Sequence, residues 1–513
     1  MGSCLCKQSS TTMAENRSSE PKRPRLMEAD SVEFQILSML RCIGTFPDGE
    51  EVPAPLIKIN QMADSDEGWC NVIMALVQTI PLFDPLGPSV ITIVFDDCPL
   101  PSQDTVLTFT ASLNLCRERC SESYRDEELI RQERNILVIL GCIAEKFAGP
   151  NSTRVLTINV LRYLITFLKD EVEPHLVLHA LIALEKFART TKNKMLIEKY
   201  FSAMLLHPLL PLELYYSSKT WPWREVGFCA RWALDNIFLF PGRQFSFETE
   251  DMRAVHAMLN THDVSEYLKI SPDGLEARCD SHSFESVRGT FQIDSNCWYY
   301  EAFIVTAGVM QIGWATKNSA FQNQEGYGVG DDSFSLAYDG CRRLLWYKAE
   351  ATEVDDVPSW QPGDVLGCLI DVNRREAVFS LNGKCLPACT EIFSQSSEGF
   401  YAAASFMAYQ QCRFNFGASN FKYPPQDRQF KIMNEIGILK EEEKKVIPRR
   451  VLLEKIQLEN NFSEKLCVIC LDRVGSYGID PCKHGNFCMK CIKMMEICPL
   501  CRCQKKEFHI LAL

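Results

Sequence analysis

The spacing of cysteine and histidine residues between positions 467 and 501 constrains this chain more than any other feature. The pairs there are Cys467-x2-Cys470, Cys482-x-His484, Cys488-x2-Cys491 and Cys498-x2-Cys501. They offer eight ligands, the number that two tetrahedral zinc ions need with no coordination position left open. A closed site cannot activate water, so we expect both ions to be structural. Because so short a segment has little apolar core, metal binding should supply much of its folding free energy.

A disulfide framework and a catalytic thiol are the alternatives to a metal site. The sequence begins MGSCLCKQSS, without the apolar core of a secretory signal, so we expect a cytoplasmic and not a secreted protein. Its 24 cysteines should then be thiols or metal ligands. A disulfide framework would leave His484 unexplained, and a catalytic cysteine needs an accessible thiolate. We interpret Cys503 and most cysteines before Cys467 as surface or packing thiols.

The ligand order of three cysteines, one histidine and four cysteines resembles that of the C3HC4 RING finger. The resemblance implies a cross-braced pairing of the ligands. One zinc ion would be held by Cys467, Cys470, Cys488 and Cys491, and the other by Cys482, His484, Cys498 and Cys501. The spacing by itself gives only the number of ligands.

RING fingers mostly serve as ubiquitin ligases, so the resemblance implies binding of a ubiquitin-conjugating enzyme. Ile469, Pro499 and Leu500 occupy positions where the family presents an apolar groove to that enzyme, and Met495 stands where a larger aromatic residue is common. Arg502 follows the last ligand, as does the arginine that bonds both the conjugating enzyme and its ubiquitin in active members. The implied mechanism is positioning, without a covalent intermediate on this chain. The alternatives are packing within the knuckles and, for Arg502, a solvated charge.

The sequence after the last ligand ends EFHILAL. Some inhibitor-of-apoptosis-type RING fingers end in tails of similar length that form a homodimer, although Phe508 does not align with the aromatic residue of those tails. The alternative is a last strand that packs on its own RING finger.

Residues 266–425 are predicted to form a β-sandwich, because short aromatic and β-branched segments alternate there with turns. Asn382-Gly383 between two apolar runs is a strong hairpin signal. The segments IGWAT, GVGDDSFSLAYDG, WQPGDVLGCLIDV and FSLNG resemble a SPRY domain. The resemblance implies a rigid two-sheet domain whose loops at one edge bind a protein, here an unknown substrate.

Residues 31–265 carry apolar residues at the three- and four-residue spacings of amphipathic helices. Consecutive helices with short polar breaks predict an armadillo- or HEAT-like α-helical region, with an irregular bundle as the alternative. His175 and His179 have a spacing that can bind zinc, but their apolar surroundings favour a structural role. Residues 426–462 are predicted to be a helical linker, and 463–513 the RING finger with its tail.

Residues 1–30 have little to bury and are predicted to be disordered. Gly2 partly fits the myristoylation pattern, and Cys4 and Cys6 suit palmitoylation, which together would tether the chain to a membrane; the alternative is an inert tail. No apolar run is long enough to span a membrane. The net charge of −12 argues against nucleic acid as a partner.

The order of helical region, SPRY-like domain and RING-like finger resembles the family of RING finger and SPRY domain-containing proteins. That family relation implies a RING-type ubiquitin-protein ligase whose SPRY and helical regions recruit a substrate. The second hypothesis is a non-enzymatic, zinc-dependent adaptor or scaffold.

Overall fold

The computed structural model describes residues 31–45, 52–115, 126–320, 327–394, 399–449, 451–452, 467–470, 473–500 and 503–511. The predicted lipidation sites Gly2, Cys4 and Cys6 lie outside the described residues, as do Cys501 and Arg502.

The first half of the chain is helical, as predicted. Among the described residues its α-helices are α1 (Val32–Thr45), α2 (Ala54–Met62), α3 (Asp66–Thr79), α4 (Gly87–Asp97), α5 (Gln103–Ser112), α6 (Glu127–Lys146), α7 (Pro150–Val155), α8 (Ile158–Thr166), α9 (Pro174–Ala188), α10 (Thr191–Ser202), α11 (Leu209–Glu213), α12 (Trp221–Asn236) and α13 (Ser246–Thr249). A 3-10 turn, Leu214–Ser217, follows α11.

Local sequence explains where several of these helices begin. Ser65, Ser102, Asp126 and Thr157 each accept a hydrogen bond from a backbone N–H in the first turn of α3, α5, α6 and α8, respectively. Such caps satisfy N–H groups that have no partner within the helix. Other helices, α9 among them, carry proline in the first turn, where its missing N–H costs nothing.

The core of the helical region is built around α6 and α9. Every residue of α9 from Leu176 to Ala188 is buried, so this helix is covered on all sides. Helix α6 packs against α3, α4 and α9, and α9 packs in turn against α12. The long helices therefore contact one another in chain order, which is the packing that a stacked helical array predicts.

The middle of the chain is an antiparallel β-sandwich, which confirms the predicted fold. One sheet has the order β1-β4-β13-β6-β7-β8-β9 and the other β12-β11-β10-β5-β14-β3-β2. The strands are β1 (Leu259–Val264), β2 (Leu268–Ile270), β3 (Glu276–Cys279), β4 (Glu285–Gly289), β5 (Cys297–Ile304), β6 (Met310–Thr316), β7 (Ser335–Asp339), β8 (Leu344–Tyr347), β9 (Glu350–Glu353), β10 (Val365–Asp371), β11 (Glu376–Leu381), β12 (Lys384–Cys385), β13 (Phe400–Phe406) and β14 (Gln411–Asn415).

The sandwich starts earlier than residue 266, because β1 pairs with β4. The predicted turn at Asn382-Gly383 joins β11 to β12, where Leu381 pairs with Lys384. Both turn residues have positive φ, 51° and 83°, which is the backbone that a two-residue type I′ hairpin requires.

The turn between β13 and β14 inserts into the helical region. Tyr409 at its tip is buried, and its hydroxyl lies 3.1 Å from the Thr92 hydroxyl of α4. Beside it, Ser89 donates a hydrogen bond to the carbonyl oxygen of Ala408, at 2.8 Å. Tyr409 and Ala408 belong to the apolar core of the helical region, so the two regions share one core at this point.

Buried ion pairs surround this contact. On the sandwich, Lys269 of β2 bonds Glu185 of α9, at 2.5 Å. Arg278 of β3 lies 2.7 Å from Glu225 of α12, and its guanidinium also binds Asp280. Because a buried charge without a partner is costly, these pairs fix how the helical region sits on the second sheet.

The segment predicted to be a helical linker is mostly not helical where the structure describes it. Its regular elements include the two-residue strand β15 (Lys431–Ile432), which pairs in parallel with β5, and the single turn α14 (Met433–Ile436), and residues 449, 451 and 452 are helical. Asn434 accepts a hydrogen bond from the backbone N–H of His256, at 2.7 Å. Residues 431–449, called the connector below, therefore run along the sandwich instead of forming one solvated helix.

Candidate metal centre

The first set of predicted ligands comes together from two parts of the chain. Cys467, Cys470, Cys488 and Cys491 place their sulfur atoms within 4.8 Å of one another. Cys488 caps the short helix α15 (Met489–Met494), and its Sγ accepts a hydrogen bond from the Cys491 backbone N–H, at 3.4 Å. The helix cap thus fixes two of the ligands relative to each other.

The second set interleaves with the first along the chain. Cys482, His484 and Cys498 also place one ligand atom each within 4.8 Å of the others. The turn that carries the first two follows β16 (Tyr477–Asp480) and is closed by a 2.8 Å hydrogen bond from the Ile479 N–H to the His484 carbonyl oxygen. Cys501, the fourth ligand predicted for this set, lies outside the described residues.

The distances within both sets fit tetrahedral zinc. With Zn–S bonds of about 2.3 Å, two sulfur ligands of a tetrahedron lie about 3.8 Å apart. The sulfur atoms of Cys470 and Cys488 are separated by 3.8 Å. For one sulfur and one histidine nitrogen the expected separation is about 3.6 Å, and the observed distance from Cys498 Sγ to His484 Nδ1 is 3.7 Å. The donor type, the grouping and the spacing therefore suit this ion.

The thiols of the first set differ in how readily they lose a proton. Burial alone would raise the pKa of Cys467, but hydrogen bonds from backbone N–H groups, first that of Cys470, lower it to about 7. Burial and hydrogen bonds with neighbouring thiols raise the pKa of Cys491, because several adjacent thiols resist a second negative charge. A bound divalent cation would favour the thiolate form of all of them.

The apolar core around these ligands is small. Within the described part of the RING finger it consists of Ile479, Phe487, Ile492 and Cys498, with Tyr477, Cys482 and Met495 packed at its margin. A cluster of this size cannot offset the conformational entropy of the ordered chain around it. We therefore expect bound metal to be the main source of stability for this part of the molecule.

The residues predicted to meet a conjugating enzyme are exposed where the structure describes them. Ile469 lies in the first pair with 42% of its surface accessible, and Leu500 in the last pair with 56%. Pro499 is exposed as well, whereas Met495 is partly buried against the small core. Large apolar side chains exposed in this way are candidates for a docking surface.

The last described strand packs on the RING region itself. Strand β17 (Glu507–Ile510) pairs antiparallel with β16, and the ring of Phe508 meets that of Tyr477 edge-on at 5.9 Å. His509 Nδ1 lies 2.7 Å from a carboxylate oxygen of Asp480. The sequence allowed two arrangements of the tail, a homodimer contact or a last strand packed on its own RING finger. The structure shows such a strand, and the homodimer itself stays a prediction.

Arg449 is a residue near the site that sequence reasoning missed. It follows Pro448 in the connector and donates a hydrogen bond to the Cys470 carbonyl oxygen, at 2.5 Å. Its other terminal nitrogen bonds Glu266 of the sandwich, at 2.7 Å. In a charged segment such an arginine has no local signal that separates it from solvated neighbours.

The histidine pair of α9 is embedded in protein. The ring of His179 is buried and meets Tyr409 edge-on at 5.2 Å, and His175 lies 6.1 Å from the ring of Phe83. These contacts agree with the structural role favoured from the sequence.

Comparison with known families identifies the class of the two C-terminal regions. Residues 297–419 match the SPRY domain, and residues 463–508 match the family described as zinc finger, C3HC4 type (RING finger). The chain therefore contains a SPRY domain and a C3HC4 RING finger, which confirms both resemblances seen in the sequence.

Among curated proteins, this chain is 41% identical over 143 residues to E3 ubiquitin-protein ligase RKP of Arabidopsis thaliana, covering 28% of this chain and 11% of that protein. It is 25% identical over 173 residues to ATP-dependent RNA helicase DDX1 of Xenopus laevis, covering 33% of this chain and 22% of the helicase. The chain thus spans only a small part of the length of either relative.

Two solved structures are similar over the sandwich. The SPRY domain of human HERC1 aligns with 30% of this chain and 96% of its own length, at 14% identity and a TM-score of 0.26. The TRIM65 PSpry domain aligns with 31% of this chain and 90% of its own length, at 10% identity and a TM-score of 0.26. Within the described ranges, no helix has both the length and the apolar character needed to cross a membrane.

Proposed function

We propose that this protein is a RING-type ubiquitin-protein ligase. The observation that carries the proposal is the pair of exposed apolar side chains, Ile469 and Leu500, on the first and last ligand pairs of a C3HC4 RING finger. The similarity to an E3 ubiquitin-protein ligase over 143 residues supports the same activity. The RING finger would bind a ubiquitin-conjugating enzyme and the ubiquitin that it carries.

The zinc ions are structural in this proposal, one for each ligand set. Bound zinc supplies a rigid cross-link between loops, and every other contribution comes from side chains. Ile469, Pro499 and Leu500 form the apolar contact with the conjugating enzyme. Arg502 donates hydrogen bonds to that enzyme and to ubiquitin, which holds the thioester in an orientation open to a substrate lysine. No covalent intermediate forms on this chain.

Substrate recruitment belongs to the SPRY domain and the helical region together. Their shared core at Tyr409 and the buried pair of Lys269 with Glu185 support treating them as one rigid body. A substrate bound to that body would be tethered to the same chain as the RING finger, which raises the effective concentration of its lysines near the thioester.

The test measures discharge of ubiquitin from a charged conjugating enzyme onto free lysine, using the full chain and a panel of conjugating enzymes. We expect Ile469→Ala and Arg502→Ala each to slow discharge about tenfold or more, because each removes a central contact. The matched controls are Val468→Ala, a similarly exposed apolar residue in the same pair, and Lys506→Ala, an exposed cation four positions after Arg502 in the sequence. Both controls should discharge at the wild-type rate.

Wild-type rates in Ile469→Ala and Arg502→Ala would refute this mechanism. A wild type that discharges no conjugating enzyme in the panel would instead favour the adaptor hypothesis, in which the RING finger only docks a partner.

A further inference from the structure

A single arginine joins the three parts of the molecule that meet at the RING finger. Arg449, in the connector, bonds Glu266 in the turn between β1 and β2 and the carbonyl oxygen of the zinc ligand Cys470. Cys470 directly follows Ile469, the residue proposed to dock a conjugating enzyme. The arginine therefore fixes the orientation of the first ligand pair relative to the SPRY domain.

The orientation that results turns part of the docking face inward. Ile469 lines a cleft of about 1750 Å³ together with Met494 and Met495 at the end of α15. The opposite walls belong to the helical region and to the SPRY domain, with Arg189 and Tyr267 among their residues. Pro499 and Leu500 are exposed but are not part of the cleft wall.

A folded enzyme cannot enter a cleft of this size. A domain of about 100 residues has a radius of gyration of about 13 Å, which corresponds to a volume on the order of 10,000 Å³. To bind the RING finger, a conjugating enzyme must contact Ile469 and Pro499 at the same time. In this structure a conjugating enzyme can reach Pro499, but the walls of the cleft obstruct its approach to Ile469.

We propose that the contact of Arg449 with Glu266 and Cys470 is an autoinhibitory latch, which holds the Ile469 side of the RING finger against the cleft and weakens docking of the conjugating enzyme. This inference rests on the proposed ligase function. Release of the latch opens the approach to Ile469, so that a conjugating enzyme can contact Ile469 and Pro499 at the same time.

The chemistry of the latch suits a reversible switch. The side chains of Arg449 and Glu266 are 44% and 39% exposed, and ion pairs with that much solvent contribute little to stability. The closed arrangement is therefore favoured by a modest factor, and a partner that competes for Arg449 or Glu266 can shift the population.

The experiment compares the zinc-loaded full chain with Arg449→Ala and Glu266→Ala, which break the latch from either side. The equilibrium dissociation constant for an uncharged conjugating enzyme is measured by calorimetry, and lysine discharge is measured in parallel. We expect binding to tighten and discharge to accelerate about 3- to 10-fold in both variants. Arg253→Ala, which removes an exposed arginine paired with Asp251 outside the cleft, should behave as the wild type.

A second readout does not depend on the conjugating enzyme. Amide hydrogen exchange in residues 261–270 and 467–470 should become faster in Arg449→Ala, because these segments separate when the latch opens. Unchanged exchange and unchanged binding in both latch variants would overturn the latch and leave the ligase proposal standing. Faster exchange with no binding of any conjugating enzyme by any variant would overturn the ligase function, and with it the inhibitory role of the contact.

Discussion

At the scale of single residues, burial sets the chemistry of the histidines on α9. Burial and the nearby guanidinium of Arg134 lower the pKa of His175 to about 4 and hold the pKa of His179 well below its usual range. In the unfolded chain both groups titrate near pH 6.5. The unfolded chain thus binds more protons than the folded one once the pH falls below about 6.5.

We predict that the free energy of unfolding falls as the pH drops below about 6.5, by about 1.4 kcal/mol per histidine between pH 7.5 and 5.5. Urea denaturation of wild type and His179→Gln at both pH values tests this prediction. The decrease should be about 1.4 kcal/mol smaller in the variant, whereas His262→Gln, at an exposed position, should keep the full decrease. An equal decrease in all three proteins would show that His179 is not the titrating group.

Residue-level prediction from the sequence succeeded where the signal is local. The Asn382-Gly383 turn and the paired spacing of the predicted ligands depend on positions a few residues apart, so the sequence alone indicates them. Glu276 and Arg278 behave differently. They alternate with apolar residues in β3 as the solvent side of a strand would, yet both are fully buried beneath the helical region.

At the scale of elements, the turn between β13 and β14 couples two regions that differ in secondary structure. Tyr409 adopts a φ of 64°, in the left-handed region that costs energy for a residue with a side chain. Its ring packs against His179, and the Lys186 ammonium lies 5.6 Å from its centre. The strain is offset by burial of the aromatic ring in the helical core.

We predict that Tyr409→Ala lowers the free energy of unfolding by about 3–5 kcal/mol, because it leaves a cavity within a shared core. Tyr409→Phe, which removes only the hydroxyl bonded to Thr92, should cost about 1 kcal/mol. Chemical denaturation followed by tryptophan fluorescence and by helical circular dichroism measures both. Wild type should show coincident transitions, and a separate helical transition in wild type would contradict the shared core.

At the scale of the whole molecule, stability comes from two different sources. The helical region and the SPRY domain have large apolar cores joined at Tyr409, whereas the apolar cluster of the RING finger contains four buried side chains among the described residues. The helical region and the SPRY domain should therefore stay folded without metal, whereas the RING finger should unfold when zinc is removed.

We predict that a strong zinc chelator unfolds the RING finger and leaves the thermal transition of the helical–SPRY body unchanged within a few degrees. Metal analysis of the purified chain should give two zinc ions per molecule. Cys488→Ser and Cys498→Ser, one from each set, should lower the zinc content, while Cys503→Ser, at a cysteine outside both sets, should retain it. Full zinc content in the two ligand variants would exclude the proposed coordination.

The sequence by itself determined the helical, sandwich and RING regions and indicated which residues could bind zinc, because periodicity, turn chemistry and ligand spacing act over short stretches of chain. Only the tertiary structure decided that Glu276 and Arg278 are buried, that the start of the connector pairs with β5, and that Arg449 reaches Cys470. Those outcomes depend on which surfaces meet in space. Residues as far apart as Glu266 and Arg449 carry no local pattern that would reveal their contact.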